Sequence, residues 1–141
     1  MSTDSTQKVA IVTGASRGIG KAIAEKLAKD GFLAALVARD EEKLSTVQKE
    51  IEAGGGVACT HVCDLAQRGA FGALIEQIFE EYGRIDVLVN NAGMTRDGLM
   101  LRMSDEDFDE VINVNLRSVF EGCRVAVRPM MRGRFGRIIN I

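Results

Sequence analysis

The eight residues Thr13-Gly14-Ala15-Ser16-Arg17-Gly18-Ile19-Gly20 directly follow the apolar run Val9 to Val12, and they constrain the fold more than any other feature. Glycines where a strand turns into a helix leave backbone N–H groups open to a phosphate, at the positive end of the helix dipole. Gly14 is expected to permit the tight turn, Gly18 to let the backbone approach a pyrophosphate, and Gly20 to let the helix pack closely on the strand. The spacing is GxxxGxG, not the GxGxxG of the common fingerprint, and such turns also occur with no ligand. The surroundings therefore matter. Ile19, Ala22, Ile23 and Leu27 recur at helical spacing up to a capping Gly31, so the motif opens a helix after a strand.

Strand and helix signals then alternate. Leu33 to Ala38 reads as a buried strand, and Glu41 to Ala53 as a helix with Leu44, Val47 and Ile51 on one face, stopped by Gly54-Gly55-Gly56. Val57 to Cys63 is a third strand. Phe71, Leu74, Ile75, Ile78, Phe79 and Tyr82 mark a helix closed by Gly83, before a fourth strand from Ile85 to Val89. A long helix starts near Ser104 with a stripe of Phe108, Val111, Ile112, Leu116, Val119, Phe120 and Cys123, and the only proline, Pro129, lies near its end. Arg137 to Ile141 begins a fifth strand. This rhythm predicts an α/β fold: one domain over residues 1–141, a Rossmann-type doubly wound parallel sheet with helices on both faces and ligands at the C-terminal strand ends.

Composition narrows the function classes. A chain of 141 residues with net charge −2 is long enough for one core, and its balanced charge gives no support to nucleic-acid binding. The polar start, Met1 to Lys8, has no apolar h-region and no stretch reaches membrane-span length, so a cytoplasmic protein is expected. Three cysteines at irregular spacing suit reduced thiols.

With the glycine turn after the first strand as one of them, four candidate sites fall at the predicted strand ends. Arg39 stands about 20 residues after the glycines, where NAD-preferring sites carry an acid, so a cation there favours the 2′-phosphate of NADP; the alternative is an exposed arginine neutralised by Asp40. Arg17 is a second candidate for that phosphate. Asp64, followed by Leu65, can accept a bond from an adenine amino group or can N-cap the next helix. Asn90-Asn91-Ala92-Gly93 offers two amides and a close approach for a cofactor, or is a simple Asn-rich turn. Asn115 lies on the apolar face of the long helix, where a buried amide needs partners: it binds a water, or it is simply a satisfied core asparagine.

Other constellations read as structural. Cys59, His61 and Cys63 alternate on one strand, but with no second histidine they read as packing, and no metal is expected. Ser104 with Asp107 reads as a capping box rather than a cation site. Met100, Met103, Met130 and Met131 read as packing or subunit contacts, the first two also as a substrate loop.

TGASRGIG, NNAG and the stretch Asn91 to Met103 (NAGMTRDGLMLRM) together resemble the short-chain dehydrogenase/reductase family. Val114-Asn115-Leu116 and Ser118-Val119-Phe120 favour its branch that reduces 3-oxoacyl thioesters of acyl carrier protein, and the similar acetoacetyl-CoA reductases. The resemblance spans Lys8 to Ile141 and implies an NADPH-dependent oxidoreductase of fatty acid biosynthesis, working as a homo-oligomer, a tetramer in such relatives. By position, Asn115 matches the asparagine that holds a water of the proton relay, and Asn90 to Gly93 match the segment lining the cofactor. Arg132 and Arg134 match a basic surface that receives acyl carrier protein, or are solvated charges near a helix end.

The family's serine and YxxxK tyrosine and lysine would lie beyond Ile141, and Tyr82 has Asp86 four residues on. The expectation is therefore the N-terminal part of a longer reductase, inactive alone, with Ile138, Ile139 and Ile141 on an unpaired edge. The alternatives are a non-catalytic nucleotide-binding or dimerisation module, and a reductase of a steroid, sugar or acyl-CoA ketone.

Overall fold

The computed structural model describes residues 6–141, so most of the polar start read at Met1 to Lys8 lies outside the described residues. Five strands, β1 (Val9–Thr13), β2 (Leu33–Ala38), β3 (Val57–Val62), β4 (Val87–Asn90) and β5 (Arg137–Asn140), form one sheet in the order β3-β2-β1-β4-β5. Every neighbouring pair is parallel, with Val12 opposite Leu36 on one side and Val89 on the other. The order reverses direction between β1 and β4, the switch point at which open α/β sheets leave a crevice. The doubly wound sheet expected from the alternating pattern is present.

Side chains of a strand alternate between faces, and both faces of this sheet are apolar. Val9, Ile11, Leu33, Ala35, Val37 and Leu88 join Phe71, Leu74, Ile75 and Ile78 of α3 (Ala70–Tyr82) and Ala126 and Met130 of α5 (Ser118–Arg132). Ala10, Val12, Ala34, Leu36, Val87 and Val89 pack on the opposite face against α1 (Gly18–Lys29) and α2 (Glu41–Ala53), through Ala24, Leu44, Val47 and Ile51. At the lower end of the sheet, the buried Asp86 carboxylate accepts from the Val9 N–H and from Arg84 Nε and Nη2, each at 2.8 Å, tying the start of β1 to the start of β4.

The boundaries shift slightly. Helix α1 opens at Gly18, β3 stops at Val62, and β4 runs from Val87 to Asn90 rather than from Ile85 to Val89. Gly31 and Gly83 follow their helices at φ 92° and 75°, the left-handed geometry that suits glycine.

The long helix departs further from expectation. It is divided into α4 (Asp105–Ile112), a π-helical turn (Asn113–Arg117) and α5. The capping box at Ser104 and Asp107 is present: the Ser104 hydroxyl accepts from the Asp107 N–H at 3.1 Å. The apolar stripe, however, does not face the sheet. Phe108, Leu116 and Phe120 are 57%, 61% and 60% exposed, while Ser118, Glu121, Gly122, Ala126, Pro129 and Met130 are buried. Close packing of α5 on α3 selects its small-residue face: a Cβ on Gly122 would stand 2.5 Å from Phe71 Cε1. At the far edge, Ile138 packs on the core of the α3–α5 face, a departure from the expectation that all three isoleucines lie uncovered, whereas Ile139 on β5 and Ile141 just past it are exposed as expected.

Candidate functional site

A cleft of about 550 Å³ opens over the C-terminal ends of β1 to β4, a size in the ~300–1,000 Å³ range of small-molecule sites. Its floor is the turn between β1 and α1. Gly14 and Gly18 take φ 64° and 58°, and Gly14, Ser16, Arg17, Gly18 and Ile19 line the cleft. Gly20 lies beneath it: a Cβ there would meet the Gly14 carbonyl oxygen at 2.2 Å and Asn91 Nδ2 at 2.5 Å. The glycine therefore lets the helix close on its own turn and on the loop after β4, not on the strand as expected.

Thr13 organises the opposite side, and the sequence reading passed over it. Its buried hydroxyl donates to the Val89 carbonyl at 3.3 Å and accepts from the Asn91 and Ala92 N–H groups at 3.0 and 2.9 Å. A β-branched polar residue closing an apolar strand is the only signal that could have marked it. The Asn91 amide donates to the Thr13 carbonyl at 3.2 Å, so the loop after β4 is laced to the glycine turn at two levels.

Of the four residues read as one cofactor-lining segment, Asn91, Ala92 and Gly93 line the cleft and Asn90 does not. Asn90 is buried, and its Nδ2 donates to Asn140 Oδ1 at 2.9 Å, joining the ends of β4 and β5. The register places Asn90 opposite Asn140, so the two amides meet across the ladder.

Arg17, Arg39 and Lys43 bring three cations to the lining of the cleft. The alternative that Asp40 neutralises Arg39 does not hold. Asp40 instead caps α2 by accepting from the Lys43 N–H at 3.1 Å, with Lys43 Nζ 3.5 Å away, and that backbone bond holds its carboxyl below the ordinary value. Among the described residues, the Arg17 and Arg39 side chains enter no ion pair. Asp64 and Leu65 line the cleft after β3. Asp64 does not cap α3, which begins at Ala70; its Oδ1 accepts from the Ala66 N–H at 3.0 Å, closing a local turn.

Asn115 corrects its reading most. It is exposed, not buried in an apolar face, and sits in the π turn. Its Oδ1 accepts from the Met94 N–H at 2.9 Å and its Nδ2 donates to the Met94 carbonyl at 2.8 Å. Both ends of the amide are thus engaged by one backbone residue of the cleft wall. A π turn shifts the i−4 bonding pattern by one residue, and the Ser118 hydroxyl bonds the Val114 carbonyl across it.

Two groups lie elsewhere. Arg132 and Arg134 precede β5, at the end of the sheet opposite the cleft, and both are exposed; Arg134 takes φ 51°, an uncommon left-handed geometry for a side chain. Cys59 Sγ lies 3.4 Å from His61 Nε2 near the edge of the sheet. Burial pushes the Cys59 thiol up to about 11 and holds His61 below its ordinary value, so the pair is a neutral packing contact. Among the described residues no helix is long and apolar enough to cross a membrane.

Known proteins match this arrangement. The 3-oxoacyl-acyl-carrier-protein reductase of Thermotoga maritima is 43% identical over 136 residues, covering 95% of this chain and 54% of the relative. That of Escherichia coli is 44% identical over 134 residues, again covering 95% and 54%. The chain thus spans about half the length of the curated relatives it matches. A metagenomic short-chain oxidoreductase solved in complex with NADP superposes with a TM-score of 0.92 at 44% identity, over 97% of this chain and 63% of that one. An alcohol dehydrogenase from the archaeon Thermococcus sibiricus, complexed with 5-hydroxy-NADP, superposes with a TM-score of 0.87 at 34% identity, over 95% and 57%. The family model for short chain dehydrogenases matches residues 8–141, and the chain belongs to that family.

Proposed function

We propose that this chain holds NADPH for the reduction of a 3-oxoacyl thioester of acyl carrier protein to the 3-hydroxyacyl thioester. The observation that carries the cofactor reading is the cleft itself: a positive-φ glycine turn at a helix N-terminus, with Arg17, Arg39 and Lys43 all in its lining. Backbone N–H groups of the turn meet the pyrophosphate, and the guanidiniums of Arg17 and Arg39 meet the 2′-phosphate. Asp64 and Leu65 flank the adenine, while Asn91, Ala92 and Gly93 lie against the remainder. When bound, the reduced nicotinamide supplies the hydride. Asn115 braces Met94 through both ends of its amide, and the second N–H and the second lone pair of that amide remain for the relay water that the family resemblance places here. The substrate rests on the likeness to the two 3-oxoacyl reductases.

Arg39→Asp tests the cofactor choice. Removing charge-assisted bonds to a phosphate and placing a carboxylate beside the ribose is expected to weaken NADPH about tenfold to a hundredfold and to leave NADH unchanged or tighter. Fluorescence titration with the two dinucleotides reads it, and an unchanged ratio overturns the 2′-phosphate role. For the reaction, the polypeptide isolated from its source is expected to oxidise NADPH on addition of a 3-oxoacyl carrier thioester. Turnover of a steroid or sugar ketone in its place sinks the substrate assignment.

Arg132 and Arg134 are proposed to receive the acidic carrier. They stand at the far end of the sheet from the cleft of the same chain, so a carrier docked there delivers its thioester to a second copy, which fits a homo-oligomer. Arg134→Gly is expected to stabilise the fold by about 0.5–1 kcal/mol, since glycine relieves the left-handed strain at the expense of some chain entropy. It is also expected to raise KM several-fold for the carrier-bound thioester and not for a small free thioester. Urea unfolding and the two KM values check both halves, and an equal rise for both thioesters argues against docking.

A further inference from the structure

We propose that Glu121 is a positioning residue of the cleft: its buried carboxylate replaces the missing N-cap of α3 and so holds the loop bearing Asp64 and Leu65. The inference rests on the cofactor reading above. It starts from a deficit in the local sequence. Helix α3 is preceded by Gly69 at φ 85°, has no side-chain cap of its own and carries no acid in its first turn. The first N–H groups of a helix have no partner within it, and burial without one is unfavourable.

The partner comes from far along the chain. Glu121, 7% exposed in α5, accepts from the Gly69 N–H at 3.1 Å through one carboxylate oxygen and from the Gly72 N–H at 2.7 Å through the other. Among the described residues no lysine or arginine pairs with it, so its charge is met by these N–H groups and the positive end of the α3 dipole. The room it occupies is set by two glycines. A Cβ on Gly72 would lie 3.3 Å from Glu121 Cγ and Oε1, and one on Gly122 would collide with the Phe71 ring. The two glycines thus let α3 and α5 approach closely enough for the carboxylate to make both bonds.

From that anchor a chain of bonds leads back to the cleft. The Ala70 N–H donates to the Gln67 carbonyl at 3.2 Å, the Gln67 N–H to the Asp64 carbonyl at 3.1 Å, and the Ala66 N–H to Asp64 Oδ1 at 3.0 Å. In the other direction α5 runs straight out of the π turn whose Asn115 grips Met94 on the cleft wall. One carboxylate thus links the Asp64–Leu65 side of the cleft to the helix supporting the Met94 side. A role confined to stability would leave cofactor affinity of the folded protein untouched; positioning would not.

Hydrogen exchange and ligand titration on the full chain, well below its unfolding transition, separate the two. In Glu121→Ala, amide protection is expected to fall over residues 64–72 while β1, β2 and β4 stay protected. Affinity for NADPH and for its adenosine half, 2′-phospho-ADP-ribose, is expected to drop about tenfold. Glu121→Gln keeps the volume and one acceptor oxygen and is expected to fall between; it carries the test alone if the alanine variant does not fold. Loosened 64–72 amides with unchanged affinity overturn the positioning role alone. A wild-type chain that binds neither ligand overturns the cofactor reading, and this inference with it.

Discussion

Gly20→Ala is expected to eliminate measurable cofactor binding and to lower the unfolding free energy by about 3 kcal/mol. The added Cβ would stand 2.2 Å from the Gly14 oxygen, 2.7 Å from the Gly14 carbonyl carbon and 2.5 Å from Asn91 Nδ2. The first two are backbone atoms of the turn that lines the cleft, so they cannot swing aside as a flexible side chain would. Either α1 retreats from the turn, which removes its N–H groups from a bound phosphate, or the turn itself opens and breaks the Asn91 lacing. Both routes lose the site along with stability. Urea unfolding and an NADPH titration read the two effects, and a variant within 0.5 kcal/mol of wild type, on the scale of an ordinary surface change, would falsify the close-approach argument.

Thr13→Val is expected to be nearly as severe, at about 3 kcal/mol, although it preserves shape. The valine fits the strand but leaves the Asn91 and Ala92 N–H groups without their acceptor and the Val89 carbonyl without the hydroxyl. Each orphaned group costs about 1–3 kcal/mol when buried, and the loop amides are only partly so, which keeps the sum from being larger. With the lacing gone, Ala92 and Gly93 no longer hold their side of the cleft, and NADPH affinity falls with stability. Thr13→Ser restores the hydroxyl and is expected to recover most of both. If serine proved as damaging as valine, the γ-methyl and its packing would be responsible, and the hydrogen-bond account would be wrong.

Much of the fold was legible because its signals are local. Apolar runs of five or six residues, separated by amphipathic stretches ending at Gly31, Gly54 and Gly83, identify strands and helices from neighbours in the chain alone. The glycine turn, Arg17, Arg39, Asp64, Leu65 and Asn91 to Gly93 were legible for a related reason. In a parallel sheet every strand's C-terminal end points the same way, so residues that end successive strands share one edge, and the structure gathers them around one cleft.

Where the reading failed, the deciding contact came from elsewhere in the chain. Asn115 looked buried because its helical neighbours are apolar, yet its place was set by Met94, 21 residues earlier. The stripe of Phe108, Leu116 and Phe120 has the period of a buried face, and period alone does not say which face meets the sheet. Asn90 and Asn91 are identical in type and adjacent. Strand alternation sends one to Asn140 and the other to the glycine turn.

The alternation of elements, the parallel sheet and the glycine turn at the start of α1 come from local sequence, since each follows from propensity, period and the conformational freedom of glycine within a few residues. Tertiary structure alone decided that the Thr13 hydroxyl holds three backbone groups, that Asn115 braces Met94, and that Glu121 completes a helix begun some fifty residues before it. Those assignments pair polar groups across long separations in the chain. Which donor meets which acceptor is settled by how helices and strands approach one another in space, and no local pattern records that distance.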